Sequence, residues 1–320
     1  MLRSLLRFYC LLVFLQCNAQ IDGSKSRPNV LFIICDDLND YVQGMDGHPQ
    51  VKTPHLDQFR KIAVSFNNAH SNNPVCAPSR ASLFTGIYPH TSGNLFWNKW
   101  FKNRTLSNSK SMMEHFRDHG YDVRGTGKLF HHHERSIYST YGYQADYGPF
   151  VYDGKNRVGH PSVPLPFREI GAVDGSFASL SDVPYANDTL KSSGWIYGGW
   201  GEVKSFRYVD EDNRDPTPDE RNALWVRDQL NTLAKSPDSP FFLAVGFIRP
   251  HTPLHVPQRY FDLFPIDSVQ TPVLKEEDNE DTHLKTVYDR NQKGFRYFRL
   301  IGESYTIQES GIRAFTQGYL

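Results

Sequence analysis

Arg27-Pro28-Asn29-Val30-Leu31-Phe32-Ile33-Ile34-Cys35-Asp36-Asp37 is a continuous apolar run that stops at two carboxylates. An uninterrupted run rich in β-branched side chains predicts a strand buried on both faces, as in an α/β sheet, rather than the alternating pattern of a half-solvated one. Ligands of such sheets gather beyond the carboxyl ends of the strands, so Asp36 and Asp37 are expected at the edge of a site. Two adjacent acids either cap a solvated turn or hold a cation, and hard oxygen ligands select Ca²⁺ or Mg²⁺ over softer metals.

Two further runs read as partners of this strand. Phe241 to Phe247, following Ser239-Pro240, predicts another buried strand, which delivers Arg249-Pro250-His251-Thr252-Pro253 to the same edge. Tyr121 to Thr126 predicts a third, and it leads into Gly125-Thr126-Gly127-Lys128-Leu129-Phe130-His131. A Lys at a strand's carboxyl end, with a His three residues on, can set an ammonium and an imidazole over one oxyanion. The alternatives at these positions are a solvated Lys, a surface His, or a metal-binding tract made by His131-His132-His133. His251 in its Pro-rich turn reads by itself as structural.

Helices are expected between the strands. Thr53 and Pro54 form an N-cap and first helical position, with Leu56, Phe59 and Ala63 as the face turned to the sheet, and Ala63 to Phe66 looks strand-like. Ser111 to Asp118 reads as a helix with Met112, Met113 and Phe116 inward and Gly120 as its stop. Thr217-Pro218-Asp219-Glu220 is a capping box opening a helix whose Leu224, Val226, Leu230 and Leu233 are expected to face inward. Glu134 to about Trp200 is rich in Gly, Tyr, Ser and Asp with little periodicity, which predicts a long ordered insertion that shapes a substrate pocket.

Cys76-Ala77-Pro78-Ser79-Arg80, followed by Ala81-Ser82-Leu83-Phe84-Thr85-Gly86, predicts a loop entering a short helix, since Pro78 suits a first turn and Gly86 a stop. The unpaired N–H groups of a helix start, with the Arg80 fork one turn on, make a place for a tetrahedral oxyanion facing Cys76. The bland alternative is a small buried thiol before an ordinary helix. The pentapeptide Cys-x-Pro-Ser-Arg resembles the maturation motif of type I sulfatases, and Leu83-Phe84-Thr85-Gly86-Ile87-Tyr88-Pro89-His90 is also similar to that family. Gly127-Lys128 followed by His131 resembles its second signature, in the spacing of iduronate-2-sulfatase-like members. Pro250-His251-x-Pro253 resembles the third.

The resemblance implies an α/β fold of the alkaline phosphatase superfamily, a mixed and mostly parallel sheet flanked by helices. It further implies that Cys76 is oxidised to formylglycine, whose hydrate attacks sulfur. Asp36, Asp37 and the modified Cys76 would hold Ca²⁺, or Mg²⁺, and Arg80 would polarise the hydrate. Lys128 and His251 would stabilise the developing charge and the leaving oxygen, and His131 would take the proton that expels sulfate. The implied substrates are sulfated polysaccharides or uronic-acid oligosaccharides, from algae or glycosaminoglycans. The implied partner is a formylglycine-generating or anaerobic sulfatase-maturating enzyme. Ile312 to Leu320 resembles the start of a helix found midway through family members. The family's later metal-ligand pair, second active-site Lys and C-terminal subdomain have no counterpart in this sequence, so residues 20–320 are expected to form a truncated N-terminal catalytic domain of weak activity. Two other readings stay open: a phosphoesterase of the same superfamily, and an inactive protein that binds sulfated glycans.

With 320 residues, 39% of them hydrophobic, the chain can bury a sizeable core. Lys plus Arg and Asp plus Glu both number 35, so there is no global basic field to gather nucleic acid or a membrane surface. Met1 to Ala19 carries Arg3 and Arg7, an apolar run from Phe8 to Leu15 and a small-residue end, which predicts a secretory signal over residues 1–19 and a secreted or periplasmic protein. That run is too short for a transmembrane segment. Acylation at Cys17 is the weaker reading, because Gln16 suits such a site poorly. With Cys10 and Cys17 in the leader, only Cys35 and Cys76 remain, and no disulfide framework beyond one pair can form.

Overall fold

The computed structural model describes residues 27–132, 135–183, 193–198, 203–273, 275 and 293–320; the leader, Cys10, Cys17 and His133 lie outside them. Its centre is a sheet of four parallel strands: β1 (Val30–Cys35), β2 (Asp122–Gly127), β3 (Thr140–Gln144) and, far along the chain, β8 (Phe241–Phe247), in the order β1-β8-β2-β3. Three short strands, β4 (Phe150–Tyr152), β5 (Arg157–Val158) and β7 (Gly194–Ile196), form a small antiparallel sheet beside it. β6 (Phe177–Ser179) pairs in parallel with β9 (Leu254–Val256).

β8 is buried because alternate side chains meet a layer on each face. Phe242 and Ala244 enter a cluster with Phe84, Met113, Leu129 and Phe130. Leu243 and Val245 meet Val226 and Leu233 on the opposite side. Helices α2 (Cys76–Thr85) and α3 (Met112–Asp118) supply the first layer, and α4 (Pro218–Leu233) supplies the second. Each large side chain fully buried this way contributes about 1.5–3 kcal/mol. α2 ends at Gly86, whose φ of 70° is the left-handed C-cap expected of it. α3 is closed by a reciprocal capping box between Ser111 and Glu114.

Several expectations fail in instructive ways. β1 is not buried on both faces: Val30, Phe32 and Ile34 pack on the core, but Leu31 and Ile33 are 44% and 56% exposed. It lies at one edge of the sheet, and α4 covers β8, β2 and β3 instead. Helix α1 (Pro54–Arg60) buries no residue, so Leu56 and Phe59 stay in solvent, and Thr53 uses its hydroxyl to accept from the Gln43 N–H rather than to cap. Residues 63–66 are irregular and Val64 and Phe66 are exposed, so no strand forms there. Leu224 is exposed, because it sits two positions from both Asn222 and Val226, about 200° round the helix from the buried face. β3, inside the segment read as an insertion, is a full member of the main sheet.

Helices α5 (Lys293–Ser304) and α6 (Gln308–Tyr319) pack against Phe167, Phe177 and Leu254. α6 begins four residues before the stretch read as a helix, after the extended Ile307.

Candidate active site

The sheet brings the sequence-predicted residues together by register. The β1–β8 ladder extends one step past β1, where the Asp36 N–H donates to the Phe247 carbonyl at 3.1 Å. On the other flank of β8, the Lys128 N–H donates to the Gly246 carbonyl at 2.8 Å. This approach requires glycine twice. Gly127 has φ of +77°, and a Cβ on Gly246 would lie 1.9 Å from the Lys128 carbonyl oxygen. The chain then turns so that the His251 N–H donates to Ile248 O at 2.9 Å. Asp219, in the first turn of α4, pins this loop by accepting from Ile248 N at 2.9 Å and Arg249 N at 2.8 Å.

Asp36 is the hub. It is 3% exposed, accepts from Arg80 Nη2 at 2.7 Å on Oδ1, and accepts from the Lys128 ammonium on Oδ2. Burial opposes its charge, but Arg80 and Lys128 outweigh that and hold the carboxyl below its ordinary range. For Lys128, burial likewise favours the neutral amine, and Asp36 overrides it, so the ammonium stays charged. Arg80 Nη1 also donates to the carbonyls of Lys128 and Leu129, the latter at 2.8 Å, which fixes α2 against the loop after β2.

Cys76 is the first residue of α2, and its Sγ lies 3.6 Å from Nδ1 of His131. Burial pushes the thiol up, with Asp36 and Asp37 adding to the effect against Lys128 and Arg80, so it is protonated at neutral pH. Burial, with Lys128 and His132 nearby, pulls His131 down to about 4. The pair therefore stands as a thiol beside a neutral imidazole able to accept a proton. Cys35 and Cys76 are both free, and burial, with Asp219 next, raises Cys35 to about 11.

His251 Nδ1 lies 2.6 Å from the carbonyl of Thr252, an acceptor, so Nδ1 carries a proton there. Its Nε2 then faces Asp37 Oδ2 at 3.5 Å and Asp36 Oδ2 at 4.0 Å. The Lys128 ammonium already meets Asp36 Oδ2, so the Asp37 carboxylate is, among the described residues, the acceptor nearest Nε2 without a cation of its own in contact. Among the described residues, no three His, Cys, Asp or Glu side chains are grouped closely enough to hold a metal. The predicted set of Asp36, Asp37 and Cys76 is therefore not assembled as three ligands. Asp36 and Asp37 still fit part of the oxygen shell of a hard cation, since a carboxylate offers about four lone-pair positions and Asp36 uses one on each oxygen for Arg80 and Lys128.

Cys76, Lys128, His131 and His251 line one cleft of about 750 Å³. Its walls add Trp97, Tyr147 and the cations Lys99, Arg157 and Lys293. The Tyr147 ring lies 4.8 Å from the Lys128 ammonium and meets the His251 ring edge-on at 5.1 Å. Trp97 tilts over His131 at 4.9 Å. No motif in the sequence points to these aromatics as cleft walls, and Asp219 reads there only as part of a capping box, not as the anchor of the Ile248-Arg249 turn.

The depressed histidines make stability depend on pH. His131 near 4 and the buried His255 near 3, both set chiefly by burial, are neutral when folded but bind protons below about 6.5 when unfolded. Their contribution is complete above pH 6.5 and lost as pH falls toward 4. The stability read from urea unfolding is expected to drop between pH 7.5 and 5 by on the order of 1–2 kcal/mol for the buried His255, with a smaller, solvent-screened share from the half-buried His131. Equal midpoints would show that both imidazoles are solvated.

A family profile described as sulfatase matches residues 28–291. A sulfatase of Formosa agariphila is 31% identical over 286 residues, which is 86% of this chain and 50% of that protein. Iduronate 2-sulfatase of Mus musculus is 27% identical, covering 83% of this chain and 42% of its own length. Among solved structures, the phosphonate monoester hydrolase of Agrobacterium radiobacter superposes with a TM-score of 0.50 at 19% identity, over 92% of this chain and 56% of that one, which is a likeness of fold. The chain spans about half the length of the curated relatives it matches.

Proposed function

We propose, from the premise that this chain belongs to the sulfatase family, that it forms the reacting part of a sulfuric ester hydrolase acting on sulfated carbohydrates. The observation that carries the reading is the convergence of Cys76, Lys128, His131 and His251 on one cleft above Asp36. Formylglycine at position 76 would supply an oxygen nucleophile in place of sulfur, and a Ca²⁺ or Mg²⁺ held by Asp36 and Asp37 would supply Lewis acidity at a sulfate oxygen.

The chain's own residues do the rest. Lys128, oriented by Asp36 and screened by Tyr147, turns its remaining N–H bonds to a sulfate in the cleft, and burial strengthens that attraction. His251, with Nδ1 held by Thr252, presents Nε2 toward the same place, and in its protonated form it donates to the departing sugar oxygen. His131, neutral at working pH, takes a proton from the side chain at position 76. Arg80 holds α2, and with it position 76, against the Lys128 loop.

Lys99 and Arg157 on a cleft walled by Trp97 and Tyr147, where Lys293 is held by Asp174 at 2.9 Å, support a substrate with anionic groups beyond the reacting sulfate. Sulfated polysaccharides or uronic-acid oligosaccharides, algal or glycosaminoglycan, fit that description. The leader over residues 1–19 fits secretion or periplasmic export. No helix among the described residues is long and apolar enough to cross a membrane. Within this reading, residues 20–320 are the catalytic domain and a maturating enzyme acts on Cys76. Sulfate release from a sulfated uronic oligosaccharide, by protein co-expressed with a maturating enzyme, tests it. Lys128→Ala is expected to lower release on the order of a hundredfold or more. Faster turnover of the corresponding phosphate ester would favour a phosphoesterase instead.

A further inference from the structure

Asp37 is held in a backbone conformation that few non-glycine residues adopt, Asp being one of those that tolerate it. Its φ of 56° is left-handed, and the only other non-glycine residue with positive φ among the described residues is Asp46. The hydroxyl of Tyr319 donates to the Asp37 carbonyl at 2.7 Å and accepts from the Asn39 N–H at 3.1 Å, clamping the turn on both sides. Its ring stands edge-on to Tyr41 at 5.4 Å. α6 itself is firmly seated: Ile312 and Phe315 pack in a core cluster with Phe167, Phe177 and Leu254, and Gln317 Nε2 donates to Phe264 O at 2.7 Å.

Resting on the cation reading of Asp36 and Asp37, we propose that Tyr319 is a positioning residue that presents the Asp37 carboxylate to the cation. A residue in a sparsely populated conformation persists only where its surroundings over-determine it. Asp36 needs no such aid, being fixed by Arg80 and Lys128. The Asp37 side chain is 60% exposed and faces His251 at 3.5 Å, so its direction is set largely by its backbone, and Tyr319 clamps that backbone.

Tyr319→Phe removes both hydrogen bonds while keeping the ring against Tyr41, so a merely structural ring predicts no change in cation affinity. Calorimetric titration with Ca²⁺ alone is expected to show Tyr319→Phe binding about five- to tenfold more weakly than the parent, at temperatures where both are fully folded. Hydrogen exchange at the Asn39 amide, read without calcium, should quicken in the same variant. Parent-like affinity in Tyr319→Phe would overturn the proposal while leaving the cation reading intact. A parent protein that takes no Ca²⁺ would overturn the cation reading, and this proposal with it.

Discussion

Asp36→Ala is expected to lose a large share of the protein's folding free energy. The carboxylate is buried, and so are both of its partners, with Arg80 and Lys128 at 4% and 1% exposure. Truncation would leave two cations in the interior without a counter-charge, and removing one member of a buried ionic pair costs about 3–5 kcal/mol. A domain's whole net stability is about 5–15 kcal/mol. Lys128→Met should cost less, because Asp36 keeps Arg80 at 2.7 Å and the substituted stem stays apolar. Asp36→Asn should fall between the two, retaining shape and one acceptor. The check is the order of urea midpoints, with Asp36→Ala lowest, and a loss within about 1 kcal/mol of the parent would mean that water solvates this triad. The sign of the pH dependence is also fixed. Because the folded carboxyl is held below its usual range, the contribution is complete above about pH 4 and lost as pH falls further.

The residues legible in the sequence were those whose chemistry and placement are both local. A strand's end is visible where an apolar run stops, so Asp36, Lys128 and His251 could be assigned to one sheet edge, and the ladders deliver them there. Their roles came from the family resemblance, since none of the three runs says which acid faces which base. What failed depended on partners distant in the chain. The apolar run of β1 reads the same as that of β8, and only strand order makes one an edge and the other a centre. Leu56 and Phe59 have proper helical spacing, yet no layer among the described residues lies over them. Leu224 is apolar but falls off the buried stripe of α4 that Asn222, Val226 and Leu233 define. Asp219, Tyr147 and Tyr319 act through carbonyls, amides and rings supplied by other segments, and no spacing in the chain announces such contacts.

Cys76→Ala is expected to abolish sulfate release, by on the order of a thousandfold or more, as loss of a covalent nucleophile does. The cleft stays intact in this variant, because the Cys76 thiol meets His131 and takes no part in the Asp36 triad. Unfolding midpoints should therefore move little, which separates this loss from that of Asp36→Ala. The thiol itself is a poor reagent, because burial keeps it protonated at neutral pH. A sulfur-bound sulfate would moreover have no neighbouring hydroxyl to expel it. The reaction proposed for this site thus needs oxygen at position 76, and after co-expression with a maturating enzyme the peptide carrying Cys76 should have lost its thiol and gained an aldehyde by mass spectrometry. Cys76→Ser supplies a hydroxyl without the aldehyde, so it can accept sulfate from substrate but cannot eliminate it. A stoichiometric burst without turnover is the expected trace, and steady turnover by Cys76→Ser, or by a chain whose Cys76 peptide is wholly unmodified, would remove formylglycine from the mechanism.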